Sequence, residues 1–516
     1  MDKKRSVLNI SISIVSHITL LIIAIFVRRL LIQYIGNDVN GLNSLFSSII
    51  GMLTVAELGI GRAIVYSMYS PIVAGDERSV AALFNLYKRL YRIIGAVILL
   101  AGLLVLPFLS SLINDYEDLN VNVYITFLLT LVSVVLTYLY SAKTSLIEAH
   151  KDNYITTGIA TVSHLCRYAL QIVAILIFHS YTAFLFCQII GTVIIWILTE
   201  IVVRKRYGQI INTNETVDEA TKKEIGKNVK AMLMHKVGTV MVQSVDSMII
   251  SGFIGVVILG KYSNYTFIAS TMVGIITLFF TPLTSIIGHL CAEGNQEKTK
   301  GYFDYFHSLN FILGVIFFLG YYAVIDSVVA LLFGFGLSVS QPIAFIITLN
   351  QFIQYMRNAS LLFRNASGTF YNDRWKPIAE GVVNLFLSLL FVTIFPEEYK
   401  VVGVIVATII TNLLICDTVE PFVVFKHVFG RSPRTFYFKN YSYIALFTLA
   451  LFSLTYLARP AAGPIAGIIV NGFISIGVSI LVLGLVTVID KSFRNSIVTM
   501  GKAGVRWMKS VIAKSE

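Results

Sequence analysis

Runs of about twenty apolar residues recur from one end of this chain to the other, each long enough to cross roughly 30 Å of hydrocarbon as a helix. That recurrence fixes the solvent before anything else is considered. In lipid every backbone amide must be satisfied internally, so only helices or a closed barrel can span. The runs are continuous rather than alternating, which excludes the barrel. Composition agrees: of 516 residues, 56% are hydrophobic and 13% charged. The mean hydropathy of +0.79 lies well beyond soluble-globular usage.

The expected architecture is an all-α polytopic membrane protein with fourteen transmembrane helices: 7–35, 42–69, 88–109, 121–141, 154–178, 181–203, 229–254, 261–289, 305–325, 341–365, 377–396, 401–425, 442–459 and 465–489. "MDKKRS" is basic, but the run behind it is full-length and lacks a small-residue cleavage site, so the first span is expected to be a retained anchor.

Lys and Arg set the orientation. An even span count puts both termini on one side, and the connections on that side, together with the first turns of the spans they adjoin, carry thirty of the 40 basic residues. The opposite connections and the span ends beside them carry three, Lys261, Lys400 and Arg459, and seven lie deeper inside spans. Both termini are therefore expected in the cytoplasm, and the net charge of +12 follows from topology and attraction to anionic lipid. Basic stretches such as "RKRYG" and "TKKEIGKNVK" then read as solvated loops, with no nucleic-acid partner.

The outer connections are short, which leaves no extracytoplasmic domain for a catalytic site. Cys166, Cys187, Cys291 and Cys416 have no CxxC spacing and read as small buried apolar residues. No P-loop, nucleophile elbow or His-Glu-x-x-His is present, so no enzyme, cofactor or metal is expected.

A repeat is detectable. "SSIIGMLT" (47–54) matches "STMVGIIT" (270–277), and "DNY" (152–154) matches "DRW" (373–375), at a common offset of about 222. It implies an N-terminal lobe (1–203, spans 1–6), a cytoplasmic linker (204–228) and a C-terminal lobe (229–425, spans 7–12). Accessory spans 13 and 14 (426–489) and a basic cytoplasmic tail (490–516) follow. Paired six-helix repeats are a transporter architecture, with the substrate site near midplane between them.

The seven intramembrane cations are Arg28, Arg29, Arg62, Arg167, Lys236, Arg357 and Arg364; the acidic groups counted against them are Glu57, Asp246, Asp417 and Glu420. Each cation costs about 2.5–3.5 kcal/mol at a helix centre. The surplus of base over acid calls for an anionic visitor or a water-filled cavity. Helical spacing gathers the polar groups into three stripes: Asn350, Gln354, Arg357, Asn358, Arg364 and Asn365; Thr161, His164, Arg167, Tyr168 and Gln171; and Lys236, Thr239, Gln243 and Asp246. Candidate substrate-binding residues are Arg28, Arg29, Arg62, Arg167, Gln171, Lys236, Asn350, Gln354, Arg357 and Asn358, with Glu57, His164 and Asp246 as candidates for ion or proton coupling. Each also has a structural reading. Arg364 can snorkel, Arg62 can cap the "LGIG" turn, Lys236 and Asp246 can pair with other spans, and His164 can be a core histidine. Arg28 and Arg29, about 100° apart on a helix, cannot both face one cavity squarely.

With "VNGLNSLFSSIIGMLTVAELGIGRAIVYSMYSPIVAGD" (39–76), "MHKVGTVMVQSVDSMIISGFIG" (234–255) and "GKYSNY" (260–265), nearly the whole chain resembles the Wzx-type polysaccharide repeat-unit flippases. These are a branch of the multidrug/oligosaccharidyl-lipid/polysaccharide (MOP) exporter superfamily. The resemblance implies fourteen helices in two lobes, residence in a bacterial cell membrane, and translocation of undecaprenyl-pyrophosphate-linked oligosaccharide to the outer leaflet for surface polysaccharide synthesis. It implies polymerase and glycosyltransferases of the same pathway as partners. Arginines of the first two helices engage the pyrophosphate in the related lipid II flippases, and Arg28 or Arg29, and Arg62, occupy comparable regions. A cavity rich in Arg, Asn and Gln suits such a headgroup through bidentate contacts to phosphate and amide contacts to sugar. The competing readings are a cation-coupled multidrug antiporter of the same superfamily, whose cavity should carry surplus acid, and a polymerase or ligase of the pathway, which should need a large outer loop.

Overall fold

The computed structural model describes residues 2–54, 60–114, 116–213, 215–219, 222–223, 244–280, 283–369, 372–458 and 463–500. By its internal contacts the chain divides into two compact units, 1–263 and 264–516. The first contains α1 (Asp2–Tyr34), α2 (Asn37–Leu53), α3 (Ile60–Ala74), α4 (Glu77–Val105), α5 (Val123–Thr137), α6 (Ser141–Ala149), α7 (Asn153–Phe178) and α8 (Tyr181–Ile211). A helical stretch at 244–253 follows, and then α9 (Val256–Phe280), within which the division falls. The second unit continues with α10 (Leu283–Ala292), α11 (Gln296–Leu332), α12 (Gln341–Met356), α13 (Asn358–Ala366), α14 (Lys376–Ile394) and α15 (Lys400–Thr411). A π-helical turn (Asn412–Cys416) joins α15 to α16 (Asp417–His427), and α17 (Arg434–Leu457) and α18 (Pro464–Ile489) complete it.

Local sequence explains where several helices start. Asp76, Asn122, Ser180 and Asn295 each accept the backbone N–H three residues on, at 3.0–3.3 Å, and so cap α4, α5, α8 and α11. Between α7 and α8, His179 adopts the left-handed conformation (φ 46°) that ends a helix, and Ser180 begins the next. The two helices therefore fold back as a hairpin, against which α1 and α5 pack. In the second unit α11 runs along α18, and Phe303 is ringed edge-on by Phe363, Phe425, Phe429 and Phe436 at centroid distances of 5.3–5.4 Å.

The polarity of the surface is inverted relative to a water-soluble bundle. Ile22, Phe26, Leu104, Phe186, Phe473 and Leu481 are exposed, whereas Ser163, Asn310, Asn384 and Thr408 are buried. Apolar faces turned outward match a lipid solvent, and buried Ser, Thr and Asn join helices from within. Among the described residues ten helices are long and apolar enough to cross a bilayer. They coincide with spans 1, 3–6, 9 and 11–14. Spans 2, 7 and 8 run across residues outside the described set, and span 10 divides at Arg357 into α12 and α13. The chain is a multi-pass, almost wholly helical membrane protein. All four cysteines are free, but only Cys416 is buried; Cys166 is exposed midway along α7, where lipid makes an outward thiol as acceptable as an inward one.

Candidate functional site

In the second unit the polar stripe of span 10 is built around a break. Residues Tyr355 and Met356 end α12, and their carbonyls are taken by the side-chain amide of buried Asn310 on α11, at 3.0 and 3.2 Å. Arg357 stands at the junction, and helices broken at membrane depth commonly form transporter sites. Span 12 is irregular at the same place. Its π turn and Pro421 disturb the ladder, and two tyrosines of α17 meet carbonyls there: Tyr441 donates to Leu413 O at 2.7 Å and Tyr437 to Thr418 O at 2.5 Å.

These two irregular spans meet in a buried ion network. Arg357 donates to both carboxylate oxygens of Glu420, at 3.1 and 2.6 Å, and its Nη1 to Asn412 Oδ1. Lys376 bridges Glu420 and Glu380 at 2.6 and 2.8 Å, and Arg357 lies 3.8 Å from Glu380. Arg364 donates to Asp373 at 2.6 Å and stands 4.0 Å from Glu420. Three cations thus face three carboxylates. Asp417, 2% exposed, lies in the same region with Oδ2 lacking a hydrogen-bond partner.

The arrangement departs from the expected excess of base. Arg357 is committed to Glu420, and Arg364 is 8% exposed and paired rather than snorkelling. The count from sequence missed Glu380 and Asp373. The available signal was Lys376 with Glu380 at i, i+4 spacing, just inside an apolar run. Of the remaining span 10 candidates, Gln354 donates to buried Asn350 at 3.2 Å, and Asn358 opens α13, half-buried.

In the first unit Arg28 is half-buried and donates to Ser263 Oγ at 2.6 Å, whereas Arg29 is exposed. Asn40 donates to the same hydroxyl at 3.3 Å and to Gly260 O at 3.1 Å; Asn37 donates to Val257 O at 2.8 Å. These contacts lock α2 onto the start of α9, where the backbones touch. A Cβ on Gly41 would lie 1.9 Å from Val256 O, and one on Gly260 would lie 2.3 Å from Asn37 O.

The stripe on α7 is present as its spacing required, and it turns toward α8. Gln171, 2% exposed, reaches Phe184 O at 3.4 Å, and the stem of Arg167 packs against Gly191. The Arg167 guanidinium lies 4.7 Å from the Tyr168 ring centroid, while Arg167 Nε and His164 Nδ1 are buried without hydrogen-bond partners. Among the described residues Arg167 makes no ion pair, so its charge is not compensated by the fold as Arg357's is. Asp246 is buried in the helical stretch 244–253. Glu57, Lys236 and the side chain of Arg62 lie outside the described residues. Among the described residues no cluster of three His, Cys, Asp or Glu side chains could hold a metal ion.

No family model matches the chain, and neither does any curated protein. Solved structures do. The lipid II flippase MurJ, in an inward closed conformation, aligns with a TM-score of 0.62 at 15% identity, over 95% of this chain and 100% of that one. An inward-facing multidrug resistance transporter of the MATE family, MOP superfamily, aligns with a TM-score of 0.56 at 13% identity, over 83% of this chain and 95% of that one. The chain shares its fold with these two proteins, a flippase and a transporter.

Proposed function

We propose that this protein is a flippase of the Wzx type, moving undecaprenyl-pyrophosphate-linked oligosaccharide repeat units to the outer leaflet of a bacterial cell membrane by alternating access. The observation that carries this reading is Arg167: a cation midway along a membrane-spanning helix, with no ion pair among the described residues. Such a charge is costly in hydrocarbon unless something anionic visits it. The coverage of the whole lipid II flippase chain supports a lipid-linked substrate. In this reading the lobes are 1–203 and 229–425, spans 13 and 14 are accessory, and polymerase and glycosyltransferases of the pathway are partners. Arg28 or Arg29, with Arg62, Lys236 and Gln171, joins Arg167 as a contact, and Glu57, His164 and Asp246 serve coupling. Likeness to a multidrug transporter favours a second reading, a cation-coupled antiporter.

Reconstituted protein separates the two. The flippase should move fluorescent lipid-pyrophosphate oligosaccharide between leaflets and leave ethidium-like cations in place. Arg167→Ala should fold normally and lose most translocation, and Arg167→Lys should recover part, keeping the charge without the planar fork. Dye efflux without lipid movement transfers the assignment to the antiporter.

The fourteen spans and cytoplasmic termini are tested by cysteine-accessibility labelling. Ser111→Cys should label from outside and Gly208→Cys from inside; the reverse pattern overturns the topology.

A further inference from the structure

The transport reading leaves unused a cavity of about 600 Å³ at the basic end of the second unit. Its size falls within the roughly 300–1,000 Å³ of small-ligand sites. The first turns of α11 supply Lys300 and Asp304, the first turns of α17 supply Phe438 and Lys439, and the exit from α18 supplies Asp490 and Lys491. Because α17 begins at Arg434 and α18 ends at Ile489, the cavity sits where two membrane-spanning helices meet the polar interface.

Its lining is divided in character. Four cations, Lys300, Arg431, Lys439 and Lys491, face two carboxylates, Asp304 and Asp490, a surplus of two positive charges. Lys300 pairs with Asp304 at 2.6 Å, Lys439 with Asp490 at 2.9 Å, and Arg431 with Glu297 beyond the lining. Lys491 makes no ion pair among the described residues and is exposed. On the same rim Phe438 is 79% and Ile489 73% exposed. A free anion has no use for those apolar groups, but an amphiphile does.

Asp490 fixes the geometry. It accepts from Tyr443 at 2.7 Å and from the backbone N–H of Phe493 at 3.0 Å while holding Lys439. Burial pushes its carboxyl up, but hydrogen bonds from Tyr443 and Lys439 outweigh burial and keep it below its ordinary value. Its carboxylate holds the Lys439 side chain in one orientation at the rim of the cavity.

We propose that this cavity binds the headgroup of an anionic phospholipid from the leaflet on the chain's basic side. Lys439 and Lys491 take the phosphate, and Phe438 and Ile489 lie against the first acyl carbons. Ser432, Ser442 and Ser492, also in the lining, can meet glycerol hydroxyls. This lipid is a resident and not the cargo, so the assignment stands or falls independently of the transport reading.

The test titrates the purified full-length protein with phosphatidylglycerol or phosphatidylcholine in detergent and counts retained lipids by native mass spectrometry. Phosphatidylglycerol should be retained selectively. Lys439→Gln with Lys491→Gln should weaken it about tenfold or more, each charge near a membrane surface being worth about 1 kcal/mol. The corresponding double Arg variant should bind as the wild type, and so should Lys205→Gln, a basic change elsewhere. Phe438→Ser should weaken phosphatidylglycerol while leaving glycerol 3-phosphate binding unchanged. If losing the Asp490 partner unfolds the double variant, Lys491→Gln alone carries the test, with a several-fold loss expected. Equal retention of the two lipids, unaltered binding in the Gln variants, or displacement of phosphatidylglycerol by inorganic phosphate at equal concentration would overturn the proposal; the last would make this a free-anion site.

Discussion

Replacing Glu420 by glutamine is expected to be among the most destabilising single changes in the second unit, by about 3–5 kcal/mol, because it leaves three cations facing two carboxylates in a buried site. Glu420 is fully buried, holds Arg357 through both carboxylate oxygens and holds Lys376 at 2.6 Å. A glutamine keeps the shape and loses the charge that both partners were placed to meet. The network predicts its own rescue. Lys376→Met in the Glu420→Gln background removes the excess cation and should recover part of the loss, with a coupling of about 0.5–3 kcal/mol. Thermal unfolding of the four purified proteins measures this. A Glu420→Gln protein within about 0.5 kcal/mol of wild type would show that Arg357 and Lys376 are satisfied by other means.

The second large effect is expected at the crossing of α2 and α9. A glycine inside a helix ordinarily costs about 0.5–1 kcal/mol relative to alanine, so Gly→Ala should stabilise. At Gly41 and Gly260 the sign should reverse, because a methyl group would sit 1.9 Å from Val256 O or 2.3 Å from Asn37 O. Neither obstacle is a flexible side-chain end; both are backbone. The helices would have to separate, stretching the Asn37 and Asn40 bonds that join them. A loss of about 1–3 kcal/mol is expected for either alanine. Gly158→Ala and Gly477→Ala, where nothing lies within 4 Å, serve as controls and should be neutral or mildly stabilising. Similar melting temperatures for Gly41→Ala and Gly158→Ala would rule out the close crossing.

The helical class and most span positions were legible in the sequence because lipid imposes a one-dimensional rule, a run of apolar residues long enough to cross. The α7 stripe was legible too, since 3.6-residue periodicity places His164, Arg167 and Gln171 together. What that stripe meets was not, because Phe184 O and Gly191 become its neighbours only through the α7–α8 hairpin. Charge balance fared worst. Glu380 sits one turn after Lys376 and reads as half of a surface pair, and Asp373 reads as a turn residue. Nothing local tells that both close a network with residues of spans 10 and 12. The division of span 10 at Arg357 leaves no mark either, since "QYMRNASLLF" carries neither Gly nor Pro; it becomes intelligible only when Asn310 is seen to receive the freed carbonyls.

The π turn at Asn412–Cys416 acts as a phase shift. Along an uninterrupted α-helix, eight residues advance about 800°, leaving Glu420 about 80° around the axis from Asn412. A π turn absorbs one extra residue, subtracting about 100° and bringing the two within roughly 20° of each other. One guanidinium can then be held by both, as Arg357 is. The apolar stripe upstream of the turn and the acidic residues downstream therefore belong to two helical registers. A single helical wheel drawn through all of span 12 would assign Glu420 to a face it does not occupy.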